Sequence, residues 1–460
     1  MKSIYTFILL LLLSACDQEE WLEIRSDKKQ VVPSSLKDYQ AILDNALDMN
    51  TATPSLGEVS ADDYYITQQD WETMTSGASL IHRKAYLWQE DIYQDDDQVP
   101  SWNMPYATIY YANAVLEGIK KVEVAPDEKA DFDRIRGTAL FHRSWCFFQL
   151  AQVFCQQYEA ASAASQLGLP LRTDPDINVT YQRSSLEDTY QKIIDDLETA
   201  LPLLPGIAQE STRASKASVQ ALLAKVYLQT GRYSQALLAA DESLQLYHEL
   251  MDYNDLDPSA SYPFEILNPE TVFYNRMLYV SEGPLSNDRM RIAPELYNSY
   301  AEHDLRKSLF YREADGDHFF RGSYNNGNFF AMYYFSGIAT DELYLIRSEC
   351  YARTGKVTEA LHDLNTLLQH RYEQGHFVPI AISDAEQALE RILLERRKEL
   401  VFRGIRWPDI KRYIAYDGRD ITLQRQLGNS TYSLPPHDPR YALPLPYNVV
   451  SISGIEQNER

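Results

Sequence analysis

Basic residues are scarce in this chain. It carries 43 Lys and Arg against 66 Asp and Glu in 460 residues, a formal net charge of −23. A nucleic-acid binder needs a basic face to neutralise phosphates, and no Lys/Arg cluster dominates here, so that class is excluded. Cysteine is scarcer, at four residues with no Cys-x-x-Cys pair, which removes thioredoxin-like and zinc-ribbon readings. No apolar run reaches the roughly 20 residues that a membrane-spanning helix needs. The sequence also lacks Gly-x-Ser-x-Gly, His-Glu-x-x-His, a phosphate-binding loop and Gly-x-Gly-x-x-Gly. Tyrosine is what it has in excess. The 33 Tyr and 6 Trp are flat amphipathic rings that serve either ligand stacking or helical cores. An apolar fraction of 45% with 24% charged residues argues against wholesale disorder.

The first 16 residues have the three parts of a secretory signal: Lys2, an apolar stretch Ile4 to Leu13 broken only by Thr6, and small residues Ser14-Ala15. Leu13-Ser14-Ala15-Cys16 resembles a bacterial lipobox. That resemblance implies cleavage before Cys16 and acylation of its thiol and new amino terminus. At about 0.8 kcal/mol per buried methylene, several acyl chains anchor a protein firmly. Loss of Lys2 with the leader takes the charge to −24. Asp17, Glu19 and Glu20 weakly match the surface-export signal of Bacteroidetes lipoproteins. The expected organisation is a signal peptide over 1–15 and one domain over 16–460, with halves of about 16–250 and 251–460. Cys146 and Cys155 lie nine apart on a predicted helix, about 13 Å along its axis. A disulfide needs Cα atoms within about 7 Å, so Cys146, Cys155 and Cys350 are expected to be buried thiols.

The rest reads as helix. Ser35 to Asp38, Ser185 to Asp188 and Ser383 to Glu386 each fit the Ser-x-x-acid capping pattern. Leu186, Tyr190, Ile193, Ile194, Leu197 and Leu201 form one apolar stripe, stopped by Pro202 and Pro205-Gly206. Segments 218–244 and 342–368 resemble each other. Each has an apolar helix, then Thr-Gly (Thr230-Gly231, Thr354-Gly355), then Ala-Leu five residues after the Gly (Ala236-Leu237, Ala360-Leu361). The Gly permits a tight turn and the Ala a close second helix, which is the logic of tetratricopeptide repeats. The offset of 124 residues makes this a partial solenoid interrupted by non-helical insertions at 50–105, 252–292, 313–338 and 428–447. Connections this long tend to be functional.

Glu395-Arg396-Arg397, Phe402, Gly404, Arg406-Trp407, Asp409-Ile410-Lys411-Arg412, Leu443-Pro444-Leu445-Pro446 and Gln457-Asn458 follow one another in a distinctive C-terminal order. That order resembles the C-terminal pattern of the SusD/RagB family of Bacteroidetes outer-membrane lipoproteins. Arg403 stands where the family often has Glu. The stretches 102–119, 136–154 and 168–174 resemble its N-terminal signatures. The resemblance implies a mainly α, SusD-like fold: a tetratricopeptide-like scaffold of helical pairs with long loop insertions and a few short strands. The Arg- and Trp-rich motif reads as a folding lock, with Trp407 either a core ring or a cation–π partner of Arg406.

The resemblance also implies function. Such proteins bind nutrients, typically glycans, at the cell surface and pass them to a SusC-like TonB-dependent outer-membrane transporter. They have no catalytic chemistry or cofactor. RagB-like relatives favour peptides, and a surface glycoside hydrolase is a more remote alternative, since no carboxylate pair is singled out. The family's sites lie in loops between helical pairs, here 62–102 and 313–338. Candidate ligand residues are Asp63, Tyr64, Tyr65, Trp71, Trp88, Tyr324, Asn326 and Tyr333. Trp71, flanked by Gln68, Gln69, Asp70 and Glu72, is the favoured platform; Trp102 is disfavoured because it opens a family helix. Asp95-Asp96-Asp97 and the His370/His376 pair are weak cation motifs, and no metal is assigned to them.

Overall fold

The computed structural model describes residues 33–75, 77–94, 97–278, 283–325 and 333–460. Residues from Ser35 to Arg460 form one compact unit. Its main helices are α1 (Leu36–Leu43), α2 (Gln68–Thr73), α3 (Gly77–Tyr86), α4 (Pro100–Gly118), α5 (Lys129–Phe154), α6 (Leu186–Ala200), α7 (Lys216–Gln229), α8 (Tyr233–Leu246), α9 (Thr340–Arg353), α10 (Val357–Gln369), α11 (Ala385–Glu399) and α12 (Arg406–Asp417). Their starts follow local chemistry. Ser35 Oγ accepts from the Asp38 N–H and Asp38 Oδ2 accepts from the Ser35 N–H, closing a capping box. Ser185 Oγ accepts from the Asp188 N–H at 3.0 Å. The α11 cap falls one residue later than expected: Asp384, not Ser383, accepts from the Gln387 N–H at 2.8 Å. A carboxylate at the Ncap serves as well as a hydroxyl.

The two similar segments become the helical pairs α7–α8 and α9–α10, and α8 packs on α9. Gly231 and Gly355 sit in the left-handed region at φ 70° and 78°, where a side chain is strained. Ala236 and Ala360 are fully buried at the close approaches. Two more packed contacts, α4 on α5 and α5 on α6, extend the layer toward the N-terminus. They carry no Thr-Gly signature, so the sequence showed only half of the repeat architecture. The stripe on α6 is buried from Leu186 to Leu197. Cys146, Cys155 and Cys350 are buried free thiols, as expected.

Short strands occupy the insertions in two-stranded antiparallel ladders: β1 (Tyr64–Tyr65) with β6 (Arg291–Ile292), β2 (Leu167–Pro170) with β3 (Arg183–Ser185), β4 (Thr271–Phe273) with β10 (Ile338–Ala339), β5 (Arg276–Leu278) with β9 (Tyr333–Phe335), β7 (Tyr311–Ala314) with β8 (Asp317–Phe320), and β11 (Leu423–Leu427) with β12 (Ser430–Leu434). The insertion 50–105, expected to be non-helical, contains a short helix Leu56–Ser60, α2, α3 and the start of α4. Its polar, aromatic composition hid short helices that tertiary packing stabilises.

The C-terminal motif is a lock made of buried charge. Arg306 donates to Asp304 at 2.7 Å, Glu395 at 2.6 Å and Glu399 at 2.9 Å, all fully out of water. Arg371 donates to Glu270 at 2.6 Å and Glu399 at 2.7 Å. Arg396 and Arg412 both reach Asp409, at 2.8 and 3.1 Å. Removing one partner from such a network typically costs about 3–5 kcal/mol, because the other charge stays buried. Trp407 is a core ring, fully buried with its centroid 5.0 Å from that of Tyr441.

Candidate functional site

Four of the expected ligand residues are in the interior. Tyr64 and Trp88 are 1% and 3% exposed, and their rings lie 5.0 and 5.3 Å from the guanidinium of Arg425, with Tyr86 at 4.2 Å. Arg425 donates to the Tyr64 carbonyl at 2.6 Å and to the Ala61 carbonyl. The rings cage a buried cation and present no face to a ligand. Asp63 accepts from Arg397 at 2.7 Å, and its neighbour Asp62 accepts from Arg406 at 2.6 Å. These carboxylates tie the 62–63 loop to the C-terminal motif. Burial raises the pKa of Asp62, but Arg406 and Arg397 outweigh it and hold the carboxyl below the usual range. Tyr324 is 1% exposed and donates to Glu270 at 2.8 Å. Arg403 donates to its hydroxyl at 2.7 Å and to Asp341 at 2.9 Å. The residue that departs from the family pattern thus has its own buried partners. Cys16, Asn326, Asp95 and Asp96 lie outside the described residues.

Tyr65, Trp71 and Tyr333 keep part of their surface. In the β1–β6 ladder Tyr64 faces Ile292 and Tyr65 faces Arg291. Successive strand residues point to opposite sides, so Tyr64 and Ile292 go inward while Tyr65 and Arg291 go outward. The Tyr65 hydroxyl donates to Asp317 Oδ1 at 2.8 Å, and Arg291 Nε donates to Asp317 Oδ2 at 2.9 Å. A second nitrogen of Arg291 reaches Asp70 at 2.7 Å. Asp70 lies in the first turn of α2, whose cap Thr67 accepts from its N–H at 3.1 Å. Burial and the bond to Asp317 push the Tyr65 hydroxyl up to about 12, so it stays a donor across the neutral range.

Trp71 follows on the same helix. Its indole N–H donates to the Arg83 carbonyl at 3.3 Å, and the Arg83 guanidinium sits 3.5 Å from the ring centroid. The arrangement joins Tyr65 and the Trp71 helix into one face through Asp70, Arg291 and Asp317. Tyr333 belongs to the β5–β9 ladder, with Arg276 4.6 Å above its ring. Arg83, Arg291 and Asp317 were missed by the sequence reading. The Thr67-x-x-Asp70 capping pattern, which the sequence reading also passed over, is a local signal that marks the helix start at this corner.

Among the described residues, clefts also lie elsewhere. One of about 420 Å³ is lined by Trp102, Tyr106, Tyr110, Arg172, Tyr181 and Ile452 among others. Tyr110 is 44% exposed there, while Trp102 packs edge-on to Phe154 at 5.0 Å. Another, of about 730 Å³, is polar and is lined by Asp252, Asn254, Asn365, His370, Glu373 and Phe377 among others.

Residues 20–228 match a family model described as starch-binding and associating with the outer membrane, and residues 340–458 match the SusD family model. The chain belongs to the SusD family. It is similar to a SusD superfamily protein of Bacteroides thetaiotaomicron, with 22% identity, TM-score 0.75, and 93% of this chain and 100% of that one covered. A putative sugar-binding protein of Bacteroides vulgatus is 21% identical, with TM-score 0.73 and coverage of 93% and 98%. A laminarin-binding SusD-like protein is 18% identical, with TM-score 0.65 and coverage of 93% and 99%. At these identities the likeness is one of fold. No curated protein matches the chain.

Proposed function

We propose that this protein captures a glycan at the cell surface and delivers it to a TonB-dependent, SusC-like outer-membrane transporter, held there by lipid on Cys16 and without catalysis of its own. The observation that carries the reading is the face where Trp71 and Tyr65, both partly exposed, flank the Asp70–Arg291–Asp317 network. An aromatic ring gives a sugar an apolar surface to stack on, and charged side chains give its hydroxyls strong bonds. Membership of the SusD family and the lipobox at Leu13 to Cys16 support the same reading.

Affinity electrophoresis against a polysaccharide panel tests it. The wild-type band is retarded on at least one glycan, and Trp71→Ala loses at least 10-fold in affinity, about 1.4 kcal/mol. Tyr110→Ala in the aromatic cleft retains binding. The reverse pattern moves the site to that cleft. No retardation on any glycan sinks glycan capture and favours the peptide reading, which the same variants then test with a peptide library.

A further inference from the structure

The sequence paired His370 with His376 around Gly375, but the structure separates their roles. His370 bonds the Thr366 carbonyl at 2.8 Å. His376 instead stacks on His303, ring centroids 3.7 Å apart, and His303 Nδ1 lies 2.8 Å from Glu373 Oε2. The ligand atoms of His303, Glu373 and His376 all lie within 4.8 Å of one another. All three side chains are partly or fully exposed, so the cluster is open to solutes.

The backbone beneath them is fixed. The Glu373 N–H donates to the His303 carbonyl at 3.0 Å, and the His376 N–H to the Glu373 carbonyl at 3.0 Å. Asp304 bridges Tyr372 in antiparallel fashion, and the Leu305 N–H donates to the Arg371 carbonyl at 2.9 Å. Asn254 clamps the same turn from a third segment. It donates to the Tyr372 carbonyl at 3.0 Å and accepts from the Gln374 N–H at 3.0 Å. Gly375 takes φ 83° to close the turn. The residues beside the cluster, Asp304 and Arg371, are the buried members of the ion lock. Side chains on so fixed a frame need only rotate about their own bonds to converge, and convergence on a rigid support is what a metal site requires.

We propose that His303, Glu373 and His376 form a binding site for a divalent transition metal, Zn²⁺ foremost. Two imidazoles and a carboxylate suit zinc rather than calcium or magnesium, which prefer all-oxygen shells. Zinc bonds of about 2.0–2.1 Å in a tetrahedron put ligand atoms about 3.4 Å apart, so a spread that reaches no further than 4.8 Å closes by at most about 1.4 Å. Three protein ligands leave the fourth position for water or another oxygen donor. Glu373 also lines the 730 Å³ polar cleft, so the ion would stand at its rim.

Isothermal titration of the tag-free protein with ZnCl₂ tests the site. One ion binds per chain with a micromolar or tighter Kd. His303→Ala and His376→Ala each weaken binding by at least ~100-fold, more than the 10–100-fold typical of outer-sphere changes. Co²⁺ in place of Zn²⁺ gives the visible absorption of a tetrahedral imidazole-bound ion, and His303→Ala abolishes it. Circular dichroism shows both variants folded, since the side chains are at the surface. No zinc heat in the wild type, or unchanged binding in both variants, overturns the proposal.

Discussion

Glu58 shows how a single side chain sets a pH response. It is buried, one carboxylate oxygen accepts from the Gly404 N–H at 2.8 Å, and the other has no hydrogen-bond partner among the described residues. Burial first, and Asp63 second, push its pKa from 4.5 up to about 8. The folded state therefore holds a proton that the unfolded chain gives up above 4.5. The stabilisation is complete below that value and is lost as pH rises through 8, at up to about 1.4 kcal/mol per pH unit. Glu58→Gln removes the titration. Urea melts at pH 5 and pH 9 check the sign: the variant gains on the wild type as pH rises and is the more stable at pH 9. A difference that does not change with pH assigns the titration elsewhere. At this scale the sequence was least legible. Nothing local separates Tyr64, caged around Arg425, from Tyr65 on the outer side of the same two-residue strand. The distinction is made by partners more than 200 residues away, Arg291 and Arg425.

At the scale of the element, the repeat turns were legible because their constraint is local. A left-handed residue between two helices calls for glycine wherever it occurs. A methyl group at Gly355 would meet nothing within 4 Å among the described residues, so Gly355→Ala isolates the backbone strain, about 1–2 kcal/mol. At Gly231 the same methyl meets the Tyr416 ring at 3.2 Å. That ring is held in place, since its hydroxyl donates to the Tyr158 carbonyl. Gly231→Ala is therefore the more damaging of the two. Chemical denaturation that finds Gly355→Ala neutral would refute the strain argument. The helix pairs without Thr-Gly escaped notice for the converse reason. Their turns use longer connections, with no one residue forced into an unusual conformation. The α2 and α3 helices in 50–105 escaped because short helices depend on tertiary packing rather than on their own pattern.

At the scale of the whole molecule, a net charge of −23 resists adsorption to anionic membrane surfaces, where basic segments are what electrostatics would hold. Among the described residues no helix is long and apolar enough to cross a bilayer. A surface location then rests on the lipid proposed at Cys16. A single acyl chain binds only marginally and reversibly, whereas two or more give stable anchoring. The proposed anchor therefore requires multiple acylation if an acidic body is to stay at a membrane through washing. Cys16→Ser blocks thiol acylation and leaves the compact unit from Ser35 to Arg460 unchanged. The variant leaves the membrane fraction, loses labelling by radioactive palmitate, and binds the same ligand as the wild type when purified. Should it stay on membranes after a high-salt wash, the anchor is not the lipid on Cys16.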